Sequence, residues 1–279
     1  MTASSVGIAL VFPELLGTYG DAGNAVVLRQ RLHWRGIDGT IFRVGIDDAL
    51  PTACDVYVFG GGEDTPQTLA TARLAEQGLE RAVDRGAAVL AVCAGLQLLG
   101  RTYTGADGST HTGLGLLDSA TTPKGHRQIG ELVVQPTTFD LPLLTGFENH
   151  GGVTELGAGA RPLGRVIAGV GNGVGGVEGV VDGKVIGTYL HGPALARTRR
   201  SPTSSSPGSS AHWNRSTTMS SSGCGASDSM RRFRVVTDRS ARRLELCDHV
   251  VAQVDDHRVV VEADGRLLGD ASRLEPLDH

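Results

Sequence analysis

The sequence predicts an α/β protein, a mostly parallel sheet flanked by helices. Three observations carry this. Short apolar runs alternate with helical stretches, the run Ala87–Val92 is continuously apolar as a doubly buried strand is, and Gly-rich turns follow the strands.

The elements come in order. Val6 to Phe12 reads as a strand, and Gly17, Gly20 and Gly23 make the turn after it. A helix runs from about Asn24 to Trp34, with Ala25, Leu28 and Leu32 on one apolar face. Thr40–Val44 and Val56–Phe59 are further strands, the second entering Gly60-Gly61-Gly62. Pro66 to Arg85 is helical, Ala87–Val92 is a strand, and Ala94–Leu99 starts another helix. Short strands are then expected at Glu131–Val134, Arg165–Ala168, Val177–Val181 and Val185–Leu190.

A length of 279 residues allows one domain plus an appendage, placed here as a domain over 1–197 and a low-complexity segment over 198–279. A net charge of -4 and a pI near 6.1 give no net attraction to phosphate backbones, so no nucleic-acid partner is expected. The apolar run Val6–Phe12 lacks a basic flank and is cut by Pro13-Glu14, which fits a strand better than a signal peptide. No apolar run is long enough for an integral membrane segment, and the expected location is the cytoplasm. Cysteines 54, 93, 224 and 247 have no metal or disulfide spacing, so no metal site is predicted.

Cys93 stands between a buried strand and a helix, with the small residues Ala91, Ala94 and Gly95 around it. This is the pattern of a nucleophile elbow. A helix N-terminus also favours the thiolate, although a buried cysteine is as readily a small hydrophobe. The loop Gly60-Gly61-Gly62-Glu63-Asp64 follows the neighbouring strand and reaches the same carboxyl edge of the sheet, where ligands bind. Amides of Gly61 and Gly62, with that of Ala94, are candidate donors to an oxyanion. His191 closes the strand Val185–Leu190 ahead of Gly192-Pro193 and is the candidate base.

These motifs resemble the class I glutamine amidotransferases, and within them the cobyric-acid-synthase-like branch. The resemblance is strongest to the GatD family, the glutaminase subunits of lipid II isoglutaminyl synthases. It rests on Thr18-Tyr19-Gly20-Asp21-Ala22-Gly23-Asn24, the Gly60–Asp64 loop, Cys93-Ala94-Gly95-Leu96-Gln97, Phe147-Glu148-Asn149-His150-Gly151-Gly152 and Tyr189-Leu190-His191-Gly192-Pro193.

The resemblance implies a flavodoxin-like sheet, a thioester on Cys93, proton transfer by His191, Gln97 near bound L-glutamine, and Arg127 on the substrate α-carboxylate. It also implies a MurT-type Mur-ligase partner that holds ATP and Mg and amidates the D-glutamate of lipid II, which would bring the chain to the inner face of the membrane. No cofactor is expected in the chain itself, which lacks a GxxxxGK[ST] phosphate loop.

Simpler readings stand beside these roles. Gln97 can solvate its helix, Arg127 can be a surface charge, His150 a hydrogen-bonded loop residue, and Asp21 and Asn24 caps of the first helix. For the whole chain the alternatives are a corrinoid-pathway amidotransferase or a non-catalytic subunit of the same fold. The acid that orients the histidine in commoner relatives has no counterpart here, because Pro193 stands two positions after His191. Glu63, Asp64 and Glu148 are candidates within the chain, and the resemblance favours an aspartate supplied in trans by the partner.

After Arg197 the character changes: ten serines fall between Ser201 and Ser222 without apolar periodicity. Between 197 and 243 ten Arg face two Asp, so a disordered tail or a basic arm is one reading. A reading-frame change is the favoured one. Thr203-Ser204-Ser205-Ser206-Pro207 written in GC-rich codons gives Asp-Leu-Leu-Leu-Ala in the adjacent frame, and Trp213–Thr217 gives Leu-Glu-Pro-Leu-Asp, both sensible helical sequence. Resequencing the gene is expected to find a one-base insertion or deletion near codon 197. Protein isolated from cells carrying the same serine-rich tail from an unaltered gene would rule this out.

Overall fold

The computed structural model describes residues 5–105 and 107–197, and beyond them three short strands at 234–235, 261–263 and 266–268. The first half follows the expected alternation: β1 (Ser5–Val11), α1 (Gly23–Trp34), β2 (Asp38–Val44), β3 (Val56–Phe59), α2 (Asp64–Leu74), α3 (Leu79–Asp84), β4 (Ala88–Val92) and α4 (Ala94–Leu99). The single helix expected over Pro66–Arg85 is divided in two, because 75–78 leaves the helical path before α3 begins.

The second half consists of β5 (Thr102–Thr104), β6 (Thr110–Thr112), β7 (Ser119–Pro136), β8 (Leu144–Leu156), β9 (Gly164–Ala168), β10 (Val177–Glu178), β11 (Val180–Asp182), β12 (Val185–Thr188) and α5 (Ala194–Arg197). Six strands form the first sheet in the order β11-β12-β4-β3-β1-β2. All neighbours run parallel except β11, which is antiparallel to β12. Every residue of β3 and β4 is buried, as their continuous apolar runs require. The carboxyl ends of β3, β4 and β12 therefore share one edge, which carries Gly60–Gly62, Cys93 and the segment leading to His191.

A second sheet, β10-β9-β7-β5-β6 with β8 on β7, is mostly antiparallel. The sequence suggests only fragments of it. In β8 the inward residues are Leu144, Gly146, Glu148, His150, Gly152 and Thr154, so the strand buries a largely polar row and shows no apolar alternation. Those groups are satisfied internally: Glu148 accepts from the amides of Val170 and Gly171 at 2.7 and 2.8 Å, and Thr154 bonds the Tyr189 hydroxyl at 2.7 Å.

The strand expected over Val177–Val181 is broken at Gly179, whose φ of 70° is a left-handed conformation that a side chain would strain. The break sends β10 to the second sheet and β11 to the first. Glu178, at that crossing, is fully buried, and its Oε1 accepts the Thr188 hydroxyl at 2.9 Å and the Tyr189 amide at 2.6 Å. One carboxyl thus ties the second sheet to the end of β12.

The strands at 234–235 (β13), 261–263 (β14) and 266–268 (β15) form a separate small antiparallel sheet. The rest of the segment 198–279, including the suspected frameshift, lies outside the described residues. Among the described residues no helix is long and apolar enough to cross a membrane.

Burial pushes the Glu178 carboxyl up from 4.5 to about 7, against the opposing hydrogen bonds from Tyr189 and Thr188. Between those pH values the folded chain keeps a proton that the unfolded chain has lost. This group's contribution to stability therefore falls as pH rises through the window, by at most about 3 kcal/mol for a shift of that size. Glu178→Gln retains the acceptor and cannot ionise. Its urea midpoint is expected to match wild type near about pH 4 and exceed it near about pH 8, and equal midpoints at both would show that the carboxyl ionises without penalty.

Candidate active site

Cys93 joins β4 to α4 with φ 54° and ψ −106°. Among the described residues only Phe12 and Cys93 are non-glycines with positive φ. Such a conformation costs on the order of 1–3 kcal/mol and persists where the surroundings impose it. Here the Cys93 amide donates to Thr188 O at 2.8 Å and the Gly95 amide to Gly60 O at 3.2 Å, so β12 and the Gly60 loop hold the elbow from either side. The Sγ faces Asn149 O at 4.0 Å.

The thiol does not match the expectation of a resting thiolate. Burial, and then the negative charge of Asp21, push it up to about 12, and the Ala94 amide and the Arg127 charge offset only part of this. A six-residue helix offers a weak dipole, and the desolvation of a closed site outweighs it.

His191 is pinned to β8 by a pair of backbone bonds: its amide donates to Phe147 O at 2.8 Å and the Phe147 amide returns to His191 O at 3.3 Å. The imidazole is fully buried, with Phe147 stacked on it at 5.2 Å and Tyr19 edge-on at 4.7 Å. Its Nδ1–H donates to Asp21 Oδ2 at 2.8 Å, while Nε2 has no hydrogen-bond partner among the described residues. Asp21 Oδ2 also accepts the Gly61 amide at 3.0 Å.

Gly61 lies where these groups meet. A Cβ there would come within 2.8 Å of His191 Cε1, 3.3 Å of Asp21 Oδ2 and 3.4 Å of Cys93 Cβ. The nucleophile candidate, the histidine and the carboxylate thus converge on one residue that has no room for a side chain.

Two expectations are corrected by this arrangement. Asp21 does not cap the first helix: the cap position is Ala22, with no side-chain bond, and the carboxylate goes to His191 instead. An acid therefore reaches His191 from within the chain, and it is none of the three candidates. Glu148 is engaged with Val170, Gly171 and His150, and Glu63 and Asp64 are exposed where α2 begins. Asn24 likewise does not serve its own helix. Its Oδ1 accepts the Leu195 amide at 3.0 Å and so ties α5, just after His191, back to α1.

The remaining candidates divide. Arg127, exposed on β7, donates from Nε to Asn149 Oδ1 at 2.5 Å and from Nη2 to Tyr19 Oη at 2.8 Å, and its charge is felt at Cys93. Gln97 is half-buried, donates to Tyr189 Oη at 3.2 Å, and does not simply solvate its helix. His150 lies on β8, not in a loop, with Nδ1–H on Gly152 O at 3.0 Å and its ring stacked on Tyr189 at 3.8 Å. Burial lowers its pKa, against the opposing pull of the Glu148 carboxylate. The Gly61 amide, one of the three expected oxyanion donors, is given to Asp21 Oδ2 at 3.0 Å. The Gly62 amide has no acceptor among the described residues, and the Ala94 amide points at the sulfur. No group of three or more possible metal ligands occurs among the described residues.

A model of the CobB/CobQ-like glutamine amidotransferase domain matches residues 7–199, which include every residue of this cluster. The chain belongs to that family. It is 38% identical over 188 residues to the lipid II isoglutaminyl synthase (glutamine-hydrolyzing) subunit GatD of Staphylococcus aureus, a match covering 66% of this chain and 76% of the relative. It is 36% identical over 197 residues to the subunit of the same name from Streptococcus pneumoniae, covering 69% and 75%. A cobyric acid synthase of Mesorhizobium japonicum is 36% identical over 154 residues, covering 51% of this chain and 29% of that one.

A thiol that stays protonated at rest in this amidotransferase domain has a measurable signature. Alkylation of the Cys93 peptide by iodoacetamide, followed by mass spectrometry, is expected to rise continuously from about pH 6 to about pH 9. A rate already level near about pH 7 would show a resting thiolate.

Proposed function

We propose that the chain is a glutaminase that works through Cys93, His191 and Asp21. The observation that carries this reading is the meeting of the three around Gly61, with Nδ1 of the imidazole on the carboxylate and Nε2 left for a proton. Arg127 would hold the α-carboxylate of L-glutamine, with Gln97 beside the bound amino acid. His191 Nε2 takes the thiol proton as sulfur attacks the side-chain amide carbon, and the Gly62 and Ala94 amides receive the oxyanion. The C–N bond breaks as Nε2–H protonates the departing nitrogen, giving ammonia and a thioester. Water, giving its proton to Nε2, then cleaves the thioester to glutamate, and the sulfur regains its proton.

A high thiol pKa suits this sequence, because the proton moves during attack and needs a base already oriented to take it. Asp21 fixes the tautomer that presents a bare Nε2.

The GatD relatives supply the pathway reading. We take the ammonia acceptor to be the D-glutamate α-carboxyl of lipid II, activated with ATP and Mg by a MurT-type partner, at the inner face of the membrane. The corrinoid alternative is favoured less, because the GatD relatives match over three quarters of their length and the cobyric acid synthase over 29%.

Glutamate release from glutamine tests the chemistry. Cys93→Ser is expected to abolish it, and Asp21→Asn to lower kcat by about two to four orders of magnitude, as loss of an orienting acid does in comparable triads. Arg127→Ala should mainly raise KM, since a carboxylate anchor serves ground and transition states alike. Activity undiminished in Cys93→Ser would overturn the mechanism.

A further inference from the structure

Tyr19 belongs to a loop whose other members serve the site. The Thr18 amide donates to Gly61 O at 3.2 Å and Asp21 holds His191, so the loop is fixed on both sides of the tyrosine. The Tyr19 ring meets the His191 imidazole edge-on, 4.7 Å between centroids at 65°, and meets Phe147 at 6.2 Å and 84°. At its far end the hydroxyl accepts Arg127 Nη2 at 2.8 Å. One rigid side chain therefore touches the base at its ring and the carboxylate anchor at its oxygen.

Arg127 depends on such support. A long, exposed guanidinium loses rotamer freedom when it binds an anion, and a partner that fixes it beforehand removes part of that cost. Asn149 Oδ1 holds Nε at 2.5 Å and Tyr19 holds Nη2, while Nη1 has no acceptor among the described residues. The guanidinium is thus held by one edge with a donor left over, as capture of a carboxylate requires. Asn149 also offers its carbonyl to Cys93 Sγ at 4.0 Å, which places this held edge beside the nucleophile.

We infer that Tyr19 is a positioning residue that sets the distance between the carboxylate anchor Arg127 and the base His191, and so selects amides carrying an α-carboxylate. The inference rests on the glutaminase reading above and goes beyond it by naming the group that couples binding to proton transfer. It separates the two ends of one side chain. Tyr19→Phe removes the hydroxyl and keeps the ring against His191. Tyr19→Leu removes both.

Steady-state kinetics with L-glutamine, and with 4-aminobutanamide as an amide lacking the carboxylate, read the two ends. Tyr19→Phe is expected to raise KM for glutamine roughly three- to tenfold with kcat within about twofold, and to leave the carboxylate-free amide unaffected. Tyr19→Leu is expected to lower kcat for both amides at least about tenfold as well, because the imidazole loses its wall. An unchanged glutamine KM in Tyr19→Phe, or an equal penalty on both amides, would overturn the coupling.

Alkylation of Cys93 gives a readout that does not require glutamine turnover. The rate ratio of iodoacetate to iodoacetamide on the Cys93 peptide should fall in both Tyr19→Phe and Arg127→Ala. A ratio lowered only in Arg127→Ala would overturn the inference even if wild type hydrolyses no glutamine, an outcome that by itself would count against the glutaminase reading alone.

Discussion

A single buried carboxylate oxygen organises the site. Asp21 Oδ2 receives both the His191 Nδ1–H and the Gly61 amide, and all three residues come from segments far apart in the chain. Asp21 and His191 are fully buried, so the carboxylate is cut off from water and leans on these two donors. Burying such a pair seldom adds net stability, because the desolvation penalty is comparable with the attraction gained. The arrangement makes physical sense as preorganisation of the imidazole, at some expense in stability, and much of the surrounding fold serves to keep it in place.

That support comes largely from α1. Asn24 binds the Leu195 amide, Arg31 binds Leu195 O, and a Cβ on Gly23 would stand 2.4 Å from Pro193 Cγ, so the helix and the loop after His191 are fitted closely together. From the other side Glu178 holds Thr188 and Tyr189, and the Thr188 carbonyl receives the Cys93 amide. The elbow and the histidine are thereby referred to the same short stretch of β12. The segment Thr18–Asn24 has work for nearly every residue: Thr18 on Gly61, Tyr19 on His191 and Arg127, Asp21 on the imidazole, Gly23 against Pro193, and Asn24 on α5.

The parallel sheet was legible in the sequence because β3 and β4 are buried on both faces and show as unbroken apolar runs. Cys93 and His191 were legible for the related reason that each follows such a run. The second sheet was hidden where its inward residues are polar, as in β8, where Glu148, His150 and Thr154 take the place of an apolar alternation. Asp21, in the segment Thr18–Asn24, has the sequence position of a cap, because an aspartate just ahead of a helix usually is one. Its true partner lies 170 residues away, and no local pattern encodes that distance. The state of the thiol is not legible in sequence for a physical reason: a helix N-terminus is visible there, whereas the burial that outweighs it exists only after folding.

An orienting acid within the chain changes what a partner has to do. If the acid came in trans, the isolated subunit would idle until the acceptor enzyme docked. On the proposed glutaminase reading, Asp21 on His191 would supply the orienting acid from within one chain, and a partner would be left only to use the ammonia. The most direct test compares kcat for glutamate release by the chain alone and with the proposed Mur-ligase-type partner at saturating glutamine. The Asp21–His191 account predicts values within about tenfold of each other. A rise of about a thousandfold or more on adding the partner would contradict it and would place the orienting acid outside this chain.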